Sequence, residues 1–159
     1  MRYGRRNERT GGQVAPRRFA FPEGALDGYN FSFSGLKTSV LYFLKKETAA
    51  NPNFIQENLA DLCASIQHTI VQTLLRQLKK AVLATGLHQV ALAGGVAANS
   101  GLRQGLQSLA EAEGWQVFIP DFEFCTDNAA MVGQAAIFQY EAGDFASQLT
   151  SPDPRLKLH

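Results

Sequence analysis

The residues best placed to do chemistry are Gly94, Gly95, Asn99 and Asp127. The first three lie in Val90 to Arg103, VALAGGVAANSGLR. Four apolar residues predict a short buried strand, and a Gly-Gly pair turns the backbone at its end. Asn99 or Ser100 then caps a helix that carries Leu102, Leu106 and Leu109 on its apolar face. A strand, a glycine turn and a helix N-terminus bring side-chain-free backbone and unpaired N–H groups to one point, a natural seat for an anion or a nucleotide. A plainer account stands beside this one, because glycine pairs follow strands in α/β proteins of every function and asparagine commonly caps helices. Asp127, in TDN at 126–128, also has two accounts. It can ligate a metal, or it can lie in the first turn of a helix capped by Thr126 or Asp127, where the dipole interaction is worth about 0.3–1 kcal/mol.

The elements that must position these residues follow from periodicity. Phe31 and Phe33 alternate with Ser32 and Ser34 as in a half-buried strand, and from Ser34 the spacing turns helical at Leu36, Val40, Leu41 and Leu44, with Lys45 and Lys46 closing the helix. Asn51, Pro52 and Asn53 break the chain, with Asn53 a candidate cap. From Phe54 the apolar positions Leu59, Leu62, Cys63, Ile66, Ile70, Leu74, Leu78 and Val82 predict one long helix ending at Gly86, its stripe facing the core. Cys63 and His68 on or beside that stripe read as packing and surface residues. The Val90 strand and its helix come next, stopped by Gly114, and Trp115 to Pro120 predicts a second strand parallel to the first. A last helix carries Met131, Ala135 and Phe138 and stops at Gly143. The order β-α-α-β-α-β-α implies an α/β fold, helix-rich with a few short parallel strands, and so few strands suggest part of a larger sheet.

Residues 1–28 form an Arg/Gly/Pro-rich leader, expected to be poorly ordered and to add little core; residues 29–145 hold the folded elements, and 146–159 are a proline-stiffened tail. Six arginines, Arg2 to Arg18, crowd the first eighteen residues against Glu8 alone, so that end can meet phosphate or remain a solvated arm. A net charge of +1 gives the rest no general pull toward nucleic acid. Two widely separated cysteines, Cys63 and Cys125, and the lack of an apolar leader run predict a reducing, cytoplasmic setting. The apolar runs fall well short of a membrane span, so no membrane role is expected.

Three segments in series, FSFSGLKTSV at 31–40, AGGVAANSGLR at 93–103 and FCTDNAAMVGQAA at 124–136, are similar to the C-terminal half of the tRNA N6-adenosine threonylcarbamoyltransferases. This family was formerly described as O-sialoglycoprotein endopeptidases or glycoproteases. The resemblance covers the chain from about Phe19 onward. It implies part of a lobe of the actin, sugar kinase and heat-shock ATPase fold, two lobes around a nucleotide cleft. It implies that Gly94 and Gly95 lie against the nucleotide and that Asn99 contacts the adenylate, with ATP or threonylcarbamoyl-AMP as the ligand. It implies that Asp127 is a metal ligand, for iron (Fe2+) or zinc (Zn2+), completed by two histidines from an H-x-x-x-H helix in the N-terminal half. Cys125 is not a ligand in that family, and a buried neutral thiol is expected there.

The activity so implied is transfer of threonylcarbamoyl from threonylcarbamoyl-AMP to N6 of the adenosine beside the anticodon. Its partners are tRNA, other proteins of the threonylcarbamoyladenosine pathway, and the missing N-terminal half or a complementing chain. His68, His88 and His159 offer no H-x-x-x-H, and one carboxylate does not hold a transition metal tightly, so this chain alone is expected to be inactive. No catalytic residue is assigned. The alternative is a non-catalytic nucleotide-binding or scaffold module with the same fold. Peptide hydrolysis ranks last, since it lacks both a metal tripod and a nucleophile with its base.

Overall fold

The computed structural model describes residues 14–24 and 28–151. The leader arginines at positions 2, 5, 6 and 9 and the tail from residue 152 lie outside the described residues. The elements are α1 (Ser34–Ala50), α2 (Phe54–Thr85), β1 (Gln89–Ala91), a 3-10 turn (Gly95–Ala98), α3 (Ser100–Glu113), β2 (Gln116–Phe118), a second 3-10 turn (Phe122–Phe124) and α4 (Ala129–Ala142). The chain divides into two compact units at the Cys125–Thr126 junction.

In the first unit β1 and β2 pair in parallel, Val90 opposite Val117, as a strand-helix-strand order requires. Bonds from Leu92 N–H to Phe118 O and from Gln116 N–H to His88 O extend the ladder. Behind it α3 lies along α2, and Val71, Leu75, Leu102, Leu106, Ala110 and Trp115 form the core. Gly101 and Gly105 let the two helices approach: a Cβ on Gly105 would come within 2.7 Å of Leu75 Cδ1, and one on Gly101 within 2.7 Å of Gln67 Nε2. Gly86 and Gly114 end their helices in the left-handed conformation that glycine adopts without strain.

Local expectations are corrected at three places in this unit. No strand forms at 31–33; Phe31 and Phe33 are exposed and stack on each other at 6.4 Å, because no neighbouring strand pairs with this segment among the described residues. α1 runs one turn past Lys45 and Lys46 and closes with Asn51 N–H on Glu47 O, so no cation stands in its last turn. Along α2 the predicted stripe is only partly core: Leu62 and Val82 are buried, but Leu59 and Cys63 are exposed, and the polar Ser65, Thr69 and Thr73 are buried on the side that Leu62 occupies. Those polar residues fit there because each hydroxyl is satisfied. Thr69 and Thr73 donate to the carbonyls four residues back, and Ser65 Oγ accepts from Phe19 N–H.

Residues 14–24 are strapped to the helices. Ala15 N–H and the Arg18 guanidinium both bond to Asp61, at 2.9 and 2.6 Å. Glu23 pairs with Arg76. Phe19 meets Phe43 and Phe54, and buried Phe21 meets Phe43, with ring centroids 5.4–5.8 Å apart. Each such pair adds about 0.5–1.5 kcal/mol beyond area burial, enough to hold a glycine- and proline-rich segment in place.

In the second unit Asn128 opens α4: its Oδ1 accepts from Met131 N–H at 3.1 Å. Neither Thr126 nor Asp127 is the cap, and no acidic residue lies in the first turn. Gly143 ends the helix in the left-handed region. No helix among the described residues is long and apolar enough to cross a membrane.

Candidate functional site

The turn after β1 is built around Gly94, whose φ of 82° and ψ of 177° belong to a region essentially reserved for glycine. Gly94 O then accepts from Ala97 N–H, and Val96 O from Asn99 N–H, winding Gly95–Ala98 into a single tight turn. Ala97 is completely buried beneath it, whereas a Cβ on Gly95 would meet nothing within 4 Å. At Gly95 the turn therefore presents bare backbone, next to the exposed side chain of Val96.

Asn99 closes the turn and opens α3. Its extended backbone places Oδ1 2.9 Å from Leu102 N–H, and its own carbonyl accepts from Arg103 N–H. Of the two caps the sequence allows, Asn99 is the one used. Because the carboxamide oxygen is committed to the cap, the amide nitrogen is the donor left for a ligand. Gly94, Gly95 and Asn99 are thus brought together on one turn.

Arg103, which sequence reasoning passed over, braces the glycine turn from below. Its Nε donates to Ala97 O at 2.5 Å, and its Nη2 donates to Pro120 O at 2.6 Å and to Cys125 Sγ at 3.0 Å. The guanidinium lies 4.2 Å from the centroid of Phe122. One side chain thereby ties the floor of the glycine turn to the end of β2 and to the second 3-10 turn. Cys125, 2% exposed, completes the knot as a buried thiol whose Sγ contacts Asp121 O at 3.5 Å. The available signal was an arginine among otherwise uncharged residues one turn into the helix, directly after the turn it braces.

Asp127 lies in the second unit, exposed, one residue before the Asn128 cap. Among the described residues no group of three or more histidine, cysteine, aspartate or glutamate side chains could hold a metal ion. His68 Nε2 accepts from Arg17 Nε, and the Cys125 thiol is enclosed with Arg103. One carboxylate is not a donor set for iron or zinc, each of which takes at least three protein ligands in its typical sites.

Comparison with known proteins places these residues in context. A sequence model of TsaD, the tRNA N6-adenosine threonylcarbamoyltransferase family, matches residues 4–134. The tRNA N6-adenosine threonylcarbamoyltransferase of Cytophaga hutchinsonii is 54% identical over 146 residues, covering 92% of this chain and 43% of that protein. Its namesake from Christiangramia forsetii is 52% identical, over 90% of this chain and 42% of that protein. The Thermosipho africanus protein of the same name is 42% identical, over 89% and 42%. The chain spans less than half the length of the curated relatives it matches, yet the match covers most of its own length. It belongs to the tRNA N6-adenosine threonylcarbamoyltransferase family.

Proposed function

We propose that this chain supplies the C-terminal portion of a tRNA N6-adenosine threonylcarbamoyltransferase of the two-lobed actin and sugar kinase fold, in the cytoplasm. It acts once joined to the remainder of the protein, which its relatives carry and its own residues do not match. The reaction moves threonylcarbamoyl from threonylcarbamoyl-AMP to N6 of the adenosine beside the anticodon in tRNA. The observation that carries this reading is the open Gly94-Gly95 turn feeding an Asn99-capped helix, in a chain more than 50% identical over most of its length to relatives bearing that name.

The N6 amine is a weak nucleophile because its lone pair is delocalised into the purine ring. The threonylcarbamoyl-adenylate is a mixed anhydride with a good leaving group, so holding the two in register supplies much of what the step needs. In this reading the bare backbone at Gly95 and the N-terminus of α3 receive the adenylate phosphate, and the Asn99 amide donates to the nucleotide. Asp127 is offered as the chain's contribution to a metal site whose other ligands come from the remainder of the protein.

The test is reconstitution. This chain is co-expressed with the part of the Cytophaga hutchinsonii relative that it does not match, and threonylcarbamoyl transfer to tRNA is measured. Transfer by the pair and not by either part supports the reading. A stable pair that binds ATP but transfers nothing supports a non-catalytic nucleotide-binding or scaffold module instead.

A further inference from the structure

The Arg103 guanidinium is half-buried and, among the described residues, forms no ion pair with a carboxylate. It stands in the first turn of α3, where the helix dipole favours an anion over a cation and no acidic residue offsets it. Charges taken out of water are ordinarily paired, yet this one gives its donors to neutral acceptors. Nε bonds to Ala97 O, and Nη2 bonds to Pro120 O and Cys125 Sγ, while the Phe122 ring lies 4.2 Å from the guanidinium carbon. The main-chain N–H of the same residue donates to Asn99 O. Arg103 therefore grips the glycine turn twice, at Ala97 and at Asn99, and anchors the other end of its fork beyond β2.

We propose that Arg103 is a positioning residue for the nucleotide: through Ala97 and Asn99 it fixes the turn on which an adenine nucleotide is seated, without itself touching the ligand. The proposal rests on the reading of Gly94, Gly95 and Asn99 as that seat, and it names what keeps the seat in shape. The turn has two backbone bonds of its own, Ala97 N–H to Gly94 O and Asn99 N–H to Val96 O. It begins at Gly94, whose backbone no side chain restrains, so its shape depends on anchors outside it. The guanidinium is such an anchor because it is planar and rigid: bonds from Nε and Nη2 of one fork fix the spacing between Ala97 O and Pro120 O. Lysine carries the same charge on one nitrogen at the end of a flexible stem, and it serves one of these carbonyls at a time. A turn already ordered before the ligand arrives binds it without a further ordering cost, and the Asn99 amide nitrogen is held ready with it.

The experiment uses the full chain co-expressed with the unmatched part of the Cytophaga hutchinsonii relative, and measures ATP affinity by titration together with KM and kcat for threonylcarbamoyl transfer. Arg103→Lys is expected to weaken ATP binding and raise KM for threonylcarbamoyl-AMP about tenfold, with kcat within about twofold, the pattern of lost binding rather than lost folded enzyme. In the chain alone, exchange of the Ala97 and Asn99 amides accelerates about tenfold, whereas those of Leu106 and Ala110 keep their protection. Leu109→Ala, which removes core packing further along α3, is the control: it lowers the melting temperature and leaves KM unchanged. Phe122→Leu removes the ring beside the guanidinium at a 62% exposed position and weakens ATP binding about threefold. It decides the matter alone if Arg103→Lys does not fold. The proposal is overturned if these two variants bind ATP and threonylcarbamoyl-AMP as the unsubstituted pair does, or if Leu109→Ala raises KM as much. A pair whose ATP affinity depends on Arg103 but which transfers nothing to tRNA removes the functional reading and leaves this role standing; an active pair indifferent to Arg103→Lys does the reverse. A pair that neither binds ATP nor transfers overturns both.

Discussion

Arg103 Nη2 stands 3.0 Å from the buried sulfur of Cys125, and the same guanidinium donates to Ala97 O and Pro120 O. The thiol is thereby sealed by a residue whose main contacts are to the glycine turn and the end of β2. Charge-assisted bonds of this kind contribute about 1.5–3 kcal/mol each where the geometry is good. Arg103→Ala is therefore expected to destabilise the chain by about 2–4 kcal/mol and to expose Cys125. The measurement is thiol titration: the unsubstituted chain presents one fast thiol, exposed Cys63, and one that reacts only on unfolding, whereas Arg103→Ala presents two fast ones. Slow reaction of Cys125 in the variant would show that packing alone encloses it.

Asn99 has one oxygen and one nitrogen, and the structure separates their duties. Asn99→Ala removes the acceptor for Leu102 N–H and should cost about 0.5–2 kcal/mol of stability. Asn99→Asp keeps an acceptor at that place, so its melting temperature should stay near that of the unsubstituted chain. It also removes the amide donor and adds a negative charge beside the proposed phosphate seat. In the reconstituted enzyme, Asn99→Asp should weaken adenylate binding at least as much as Asn99→Ala. Equal affinity of Asn99→Asp and the unsubstituted protein in isothermal titration would confine Asn99 to capping.

The hold on residues 14–24 depends on pH through Asp61. The Ala15 N–H foremost, and then the Arg18 guanidinium, keep its carboxyl below the ordinary carboxylate range. A carboxylate lowered on folding contributes stability above its unfolded value, about 3.9, and that contribution is lost as pH falls through the lower folded value. Acidification across this window should free the Ala15 and Phe19 amides to exchange before α2 and α3 lose protection. Asp61→Ala, which removes the acceptor altogether, should leave those two amides weakly protected at neutral pH and remove the acid step, which amide exchange by NMR would show directly. Retained protection at Ala15 in the variant would assign the hold to Phe19 and Phe21 instead.

Much of this architecture is legible in the sequence where one residue type has a single physical solution. Gly86, Gly114 and Gly143 mark helix ends because each occupies the left-handed region. Asn99 and the parallel strands are legible for similar reasons, through capping chemistry and the strand-helix-strand order. Phe31 and Phe33 mislead because alternation records a two-sided segment but not whether a neighbouring strand exists to pair with it. At 126–128 three adjacent residues, Thr126, Asp127 and Asn128, can all cap, and local composition does not choose among them. The role of Arg103 is the least legible, since its partners at 97, 120 and 125 are gathered only by the folded turns. The burial of Ser65, Thr69 and Thr73 is hidden for a different reason: their hydroxyls bond within the helix or to the leader, so they pack as small apolar residues do.

Gly94 and Gly95 are adjacent, but the structure asks different things of them. Gly94 is held at a φ of 82°, where any Cβ is strained, so Gly94→Ala should destabilise the chain by about 1–3 kcal/mol whether or not a ligand binds. Gly95 has ordinary φ, and its added Cβ would meet only open space, so Gly95→Ala should melt within about 0.5 kcal/mol of the unsubstituted chain. If the outer side of the turn is where the adenylate phosphate lies against backbone, the methyl group of Gly95→Ala occupies that space and lowers nucleotide affinity in the reconstituted enzyme without touching stability. Calorimetry of the chain and nucleotide titration of the complex separate the two effects. Unchanged affinity in a fully stable Gly95→Ala variant would show that the bare backbone of this turn serves the fold alone.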